Sequence, residues 1–425
     1  MLVDANFKYL LFYVFLWITA FLIYYFKKKG GGFLGGYLIV FYLFGACASL
    51  WMSQQVYYYA SLLYKGPIQS IWPLLYLFVA VLLFSTPLFL MRVDEIKTIS
   101  LSNDLIVSRK REKLLLCICV VYLIAALGTL WGIFPVISNI QNVFSVDVGM
   151  MNKSDLQHEN YEILFSSKIT TYMYNFWRSL NDIMTCLMFY FLSKKKNVLS
   201  FFLFLSCCIL PILWGLSCAN RQLSLCTVIS CLIAFFVFRN ALPKELRSRI
   251  LKIAICLSIP FFVSFVLISV MRFGDRTDLL VYEMVRYFGE SSLNFSSLLF
   301  ENQVHNIWGA ASFPQVLGIS LDKMRSLIQY SAGVNGFFFY SFVGNFVIDF
   351  GKVLTMIAAM LVFFVSLSVR FFKVKYEKIN LGAVILYHMW AVMCFQGIFF
   401  FTYALNKNAL IMTFLFFCLL KCRLK

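Results

Sequence analysis

The chain has 425 residues, 61% of them hydrophobic and 13% charged, with a mean hydropathy of +0.82. A water-soluble globular chain is about half apolar and about a quarter charged, so this composition excludes an ordinary soluble enzyme and calls for lipid around most of the surface. The net charge of +18 raises a nucleic-acid reading, which must be tested by where the charge sits.

A helix needs about 20 apolar residues to cross roughly 30 Å of hydrocarbon. In chain order, stretches of that kind run over 7–26, 33–52, 71–91, 114–134, 172–193, 198–217, 222–238, 250–270, 338–369, 380–400 and 408–420. The sequence therefore predicts an all-α polytopic membrane protein with about eleven spans, roughly ten to twelve, forming one domain over 1–425. The 7–26 stretch ends in no small-residue cleavage site and reads as a retained span rather than a signal peptide. The 338–369 stretch is long for one straight crossing, and Gly344 and Gly351 are where it would kink or shed an outer segment. Most of the 13 cysteines sit inside apolar runs, no CxxC occurs and there are three histidines, so the sequence predicts neither a disulfide framework nor a metal site.

Orientation follows from lysine and arginine. With the N-terminus outside, the inner loops hold Lys27–Lys29, the run from Arg92 to Lys113, Lys194–Lys196, Arg239 to Lys252, Arg370 to Lys378 and the C-terminal basic residues. Acidic residues fall mainly on the other side, so the inner face carries the whole net charge. That is positive-inside patterning, and it removes the nucleic-acid reading. Two long polar connections, 135–171 and 271–337, then lie outside; the second is expected to fold as a cap over the outer mouth.

Chemistry is expected where charge persists despite its cost. Arg221, in the turn Ser217-Cys218-Ala219-Asn220-Arg221, is either a snorkelling interfacial residue or an anion ligand. Arg272 and Arg276, four apart in Arg272-Phe273-Gly274-Asp275-Arg276-Thr277-Asp278, would share a helical face and grip a diphosphate through their guanidinium forks, or pair with Asp275 and Asp278. Arg286 lies on a short amphipathic helix with a buried stripe of Tyr282, Val285 and Gly289, and pairs at i,i+3 with Glu283. Three groups are placed to handle a proton: Glu290, His305 beside Trp308, and Asp349, which sits in an apolar stretch and would pair with Lys352 or another cation unless it is functional. Asp182 is a further partner for an arginine, while His158 and His388 read as structural.

Four passages resemble the Wzy-type oligosaccharide repeat-unit polymerases, the O-antigen and capsule polymerases of bacteria. They are the Asn220-Arg221 turn, the Arg272 to Asp278 cluster, Tyr287-Phe288-Gly289-Glu290-Ser291 with Asn294-Phe295, and Gly344 to Gly351 ending in Asp349-Phe350-Gly351. An Arg-x10-Gly pattern of some members occurs once, from Arg325 to Gly336, without its paired copy. The resemblance implies a GT-C-like membrane glycosyltransferase of the bacterial cytoplasmic (inner) membrane, with its long loops on the periplasmic side. Such an enzyme joins undecaprenyl-diphosphate-linked oligosaccharides, donor and acceptor, alongside a chain-length-regulating partner. On that reading Arg221, Arg272 and Arg276 hold the diphosphate, Arg286 joins them as a diphosphate-binding residue that also helps to order the cap, and Glu290, ahead of His305 and Asp349, is the general base. No cofactor or metal is required, because the donor is already activated. Rival readings are an O-antigen ligase using the same lipid-linked donor, a non-enzymatic flippase or transporter of lipid-linked oligosaccharides, and a membrane acyltransferase.

Overall fold

The computed structural model describes residues 2–27, 33–60, 66–91, 96–102, 104–138, 167–217, 221–273, 277–303, 305–333, 339–368, 378–404 and 407–421. Every stretch read from the sequence as a span carries helix. Among the described residues, five helices are long and apolar enough to cross a membrane: Asn6–Phe26, Leu34–Met52, Leu105–Phe134, Asn197–Gly215 and Ser341–Ser368. Trp72–Phe84, Leu223–Phe238, Leu381–Gln396 and Asn408–Leu420 are shorter apolar helices. The architecture is compatible with an all-α multi-pass membrane protein.

The chain forms two compact units interleaved in sequence. The first comprises 1–93, 276–374 and 391–407; the second comprises 94–275, 375–390 and 408–425.

In the first unit, α1 (Leu2–Lys27) and α2 (Phe33–Met52) pack antiparallel, with α3 (Val56–Ala60), α4 (Trp72–Phe84) and α5 (Thr86–Leu90) following. Trp17 of α1 stacks on Tyr42 at 5.2 Å and meets Phe78 of α4 edge-on at 4.8 Å, giving an aromatic centre buried by all three helices. Gly36 lets Tyr24 lie against α2, because a Cβ there would come within 2.9 Å of the ring.

The second unit begins with β1 (Thr98–Ser100) and α6 (Leu105–Ser138), followed by α7 (Lys168–Ser193), α8 (Asn197–Phe204), α9 (Leu210–Ser217), α10 (Arg221–Phe238) and α11 (Lys244–Phe273). A capping box opens α7, Ser167 and Thr170 each satisfying the other's backbone N–H. The π-helical turn Leu205–Ile209 joins α8 to α9. Carbonyls around that turn find partners on α7: Trp177 Nε1 donates to Ser206 O at 3.0 Å and Asn181 Nδ2 to Cys207 O at 3.3 Å. The short strand β1 pairs in parallel with β2 (Lys378–Asn380), Thr98 opposite Lys378 and Ser100 opposite Asn380. This three-residue ladder sits within a predominantly helical body. It is held by the buried Arg111, whose Nη1 donates to Leu101 O at 2.7 Å and Leu420 O at 2.6 Å, and by Asn380 on the same two carbonyls.

Later segments return to the first unit. α12 (Thr277–Asn294) runs on through a π-helical turn, Phe295–Leu299, into α13 (Phe300–Asn302); α14 (Leu321–Ala332) and α15 (Ser341–Ser368) follow. Much of the 271–337 stretch read as an outer loop is therefore helical. The 135–171 connection lies mostly outside the described residues. α15 breaks at Gly351, with φ 78° and ψ 171°, rather than at Gly344. At Gly344 the reason for glycine is space: a Cβ would sit 2.6 Å from Tyr340 Cβ and 3.2 Å from Leu299. α16 (Leu381–Gln396) and α17 (Lys407–Lys421) complete the chain, with 397–404 as irregular backbone in the first unit.

The contact that places α12 is its close approach to α2. The two run antiparallel: Tyr282 meets Tyr57 just beyond α2, Gly289 lies on Ala48 and Ser49, and Phe288 reaches Phe44 and Phe41. Ser49 Oγ donates to Gly289 O at 2.8 Å. A Cβ at Gly289 would stand 2.8 Å from backbone atoms of Ala48 and Ser49, which cannot move aside independently. Gly289→Ala is expected to force the helices apart and cost about 1–3 kcal/mol. A melting temperature of the purified protein in detergent equal to that of the parent would contradict this packing.

Candidate functional site

Residues 283, 286, 290 and 294 recur at spacings of three and four, so they share one face of α12. Together they assemble a charged cluster within the first unit. Glu290 is 3% exposed, and both its oxygens are engaged. Oε2 accepts from Arg286 Nε at 2.7 Å; Oε1 accepts from Asn294 Nδ2 at 3.1 Å and from the backbone N–H of Phe339 at 3.3 Å. Asn294 also donates to Phe339 O at 3.0 Å, so the segment entering α15 is bonded to α12 through both backbone groups of one residue. Arg286 Nη1 turns to Glu283, 3.1 Å from Oε1, which gives the i,i+3 pair expected from the sequence plus an i,i+4 pair with Glu290.

Burial pushes the Glu290 carboxyl above the ordinary carboxylate range, while Arg286, the Phe339 N–H and Asn294 pull it back; burial prevails. For Arg286 burial alone would favour deprotonation, but its two carboxylate neighbours more than offset it, so the guanidinium stays charged. Tyr340 is raised by burial and by the facing charge of Glu290. A glutamate of raised basicity, held in one orientation by three donors, is chemically suited to accept a proton from a hydroxyl group. The cluster is open on the Arg286 side, whose side chain remains 29% exposed. The π-helical turn begins one residue after Asn294, and such turns concentrate at functional positions.

Asp349 is fully buried on the first half of α15, and its partners are backbone rather than Lys352. Its two oxygens accept from the N–H groups of Ala311 and Ser312 at 2.8 and 2.7 Å, and its carbonyl accepts from Trp308 N–H at 3.0 Å. Lys352 instead lies over the Phe300 ring at 4.2 Å. Asp349 is thus the brace of the 307–313 turn, where Trp308 adopts φ 49° and Gly309 φ 96°. His305 is exposed, stacks on Tyr330 at 5.5 Å and accepts through its carbonyl from the Ser331 hydroxyl. Neither His305 nor Asp349 touches the Glu290 cluster in any described contact. The side chains of Arg221 and Arg272, and the whole of Arg276, lie outside the described residues, as does His158.

In the second unit His388 is buried, with Nε2 3.3 Å from Ser230 Oγ; Asp182 faces the same hydroxyl, and no described ion pair joins it to an arginine. Among the described residues no group of three or more His, Cys, Asp or Glu is placed to hold a metal ion. Asn294 and the Phe339 N–H are the members of the cluster that sequence reasoning assigned no role. The 286, 290, 294 spacing was the available signal for Asn294; nothing local marks residue 339.

No family model, no curated protein and no solved structure matches this chain.

Replacing Asp349 with Asn would exchange one acceptor oxygen for a donor and set it against a buried N–H. Asp349→Asn should lower stability by about 1–3 kcal/mol. The check is thermal melting in detergent, and an unchanged transition would show that the turn does not depend on the carboxylate.

Proposed function

We propose that this chain is a multi-pass membrane glycosyltransferase that polymerises oligosaccharide repeat units carried on undecaprenyl diphosphate. It would act at the outer face of the bacterial cytoplasmic membrane, with 271–337 on the periplasmic side. One observation carries the reading. Two of the passages with Wzy-type resemblance, separate in sequence, meet in space: Gly344 of one packs on Phe295 of the other, and Phe339, just ahead of Gly344, bonds to Glu290 and Asn294. A buried, oriented carboxylate lies at that junction.

In the proposed reaction the growing glycan passes from its lipid diphosphate to a hydroxyl at the non-reducing end of a second lipid-linked unit. Glu290 takes the proton from that hydroxyl as the new glycosidic bond forms. Undecaprenyl diphosphate leaves with the electron pair of the broken C–O bond. Arg221, Arg272 and Arg276 are the proposed ligands for its developing charge, and one well-placed electrostatic contact contributes about 3–4 kcal/mol. A general base contributes on the order of 10²–10⁴-fold.

The test is glycan banding in a strain that depends on this chain. Glu290→Gln, Arg221→Ala and Arg276→Ala are expected to leave protein in the membrane and glycans of a single repeat. Arg272→Lys, which keeps charge without the bidentate fork, should give an intermediate loss. Full-length polymer from Glu290→Gln would defeat the base assignment, and complete loss of attached glycan would point to a ligase instead.

A further inference from the structure

Arg286 stands out because its surroundings do not suit the anion-binding role that its position in the sequence invites. A guanidinium that receives a diphosphate needs N–H groups free to fork onto phosphate oxygens and a local field that is positive. Here the single positive charge is set between two carboxylates. Nε is bonded to Glu290 at 2.7 Å, and Nη1 lies 3.1 and 3.4 Å from the two oxygens of Glu283. An approaching diphosphate would meet two negative charges around one positive charge.

We infer that Arg286 is a positioning residue for Glu290, anchored in turn by Glu283, rather than a ligand of the substrate's diphosphate. The inference rests on the proposed role of Glu290 as base and assigns how that base is set. The geometry is that of a three-residue relay along one helix face. Glu283 fixes the far end of the guanidinium; the near end fixes Oε2 of Glu290; Asn294 and the Phe339 N–H fix Oε1. With both oxygens tied, the carboxylate is held in one orientation, and the adjacent cation is the strongest of the influences that lower its proton affinity against burial. Among the described residues, Tyr340 is a further titratable group facing it. From α2 the neighbours at Gly289 are Ala48, Ser49 and Met52, which bring no charge.

A merely structural arginine would tie α12 together without setting the carboxyl's titration, so titration is the discriminating readout. The experiment is isotope-edited infrared titration of the full-length protein purified in detergent, following the protonated carboxyl band that Glu290→Gln removes. Withdrawing the cation disfavours the ionised form, so the midpoint must rise. In Arg286→Gln it is expected about one to three pH units higher. In Arg286→Lys, which keeps the charge and loses the fork, it should rise less, and this variant carries the test if the glutamine variant does not fold. A midpoint unchanged from the parent in a folded Arg286 variant overturns the inference. In cells, the acid limb of polymer formation should move upward in Arg286→Lys. Full polymer from Glu290→Gln would sink the base assignment itself, whereas loss of polymer there with unmoved midpoints would sink only the role given to Arg286.

Discussion

A carboxylate withdrawn from water must find its full set of donors inside the protein, and the first unit is organised around meeting that demand for Glu290. Its donors come from its own helix and from Phe339, 49 residues away, so satisfying one side chain fixes α12 to the entry of α15. Leaving a buried pair of this kind half-made costs about 3–5 kcal/mol. The carboxylate reaches its place because Gly289 lets α12 close onto α2, and the Ser49 hydroxyl bonds the glycine carbonyl at that contact. Packing and polar satisfaction therefore act at adjacent residues.

The same economy governs the irregular backbone. Inside an apolar body, any break in a helix exposes N–H and C=O groups that only protein can satisfy. Asp349 takes two N–H groups of the 307–313 turn, Asn345 Oδ1 takes Phe401 N–H at 3.0 Å, and Ser341 and Phe342 N–H groups bond Phe399 and Gly397 carbonyls. Each device uses a short polar side chain or a second irregular strand of backbone. The result is a locally fixed frame in which the interruptions at Gly351, at the Phe295–Leu299 π-helical turn and at 397–404 fall within the unit that holds the Glu290 cluster.

The helices were legible because a lipid-facing helix needs a long apolar run, and such runs stand out at 7–26 or 114–134 without knowledge of neighbours. Gly351 was legible as a break, since glycine alone adopts φ 78° at no steric cost. The Glu283–Arg286 pair was legible from spacing. The partners of Asp349 were not: they are backbone amides 37 and 38 residues away, and any residue type supplies those. The β1–β2 ladder also escaped, because three-residue strands carry no readable alternation and their pairing joins Thr98–Ser100 to Lys378–Asn380, far apart in sequence. Arg286 was read as a phosphate ligand because an exposed arginine and one already committed to two carboxylates look alike in sequence.

The proposed chemistry is an exchange between two lipid-linked glycans, so its most direct measurement is product analysis with purified protein in liposomes supplied with lipid-diphosphate-linked repeat units. The account predicts joined repeats together with one released undecaprenyl diphosphate for each bond formed. Repeat units that cross the bilayer intact, with no diphosphate released and no joined product, would contradict it.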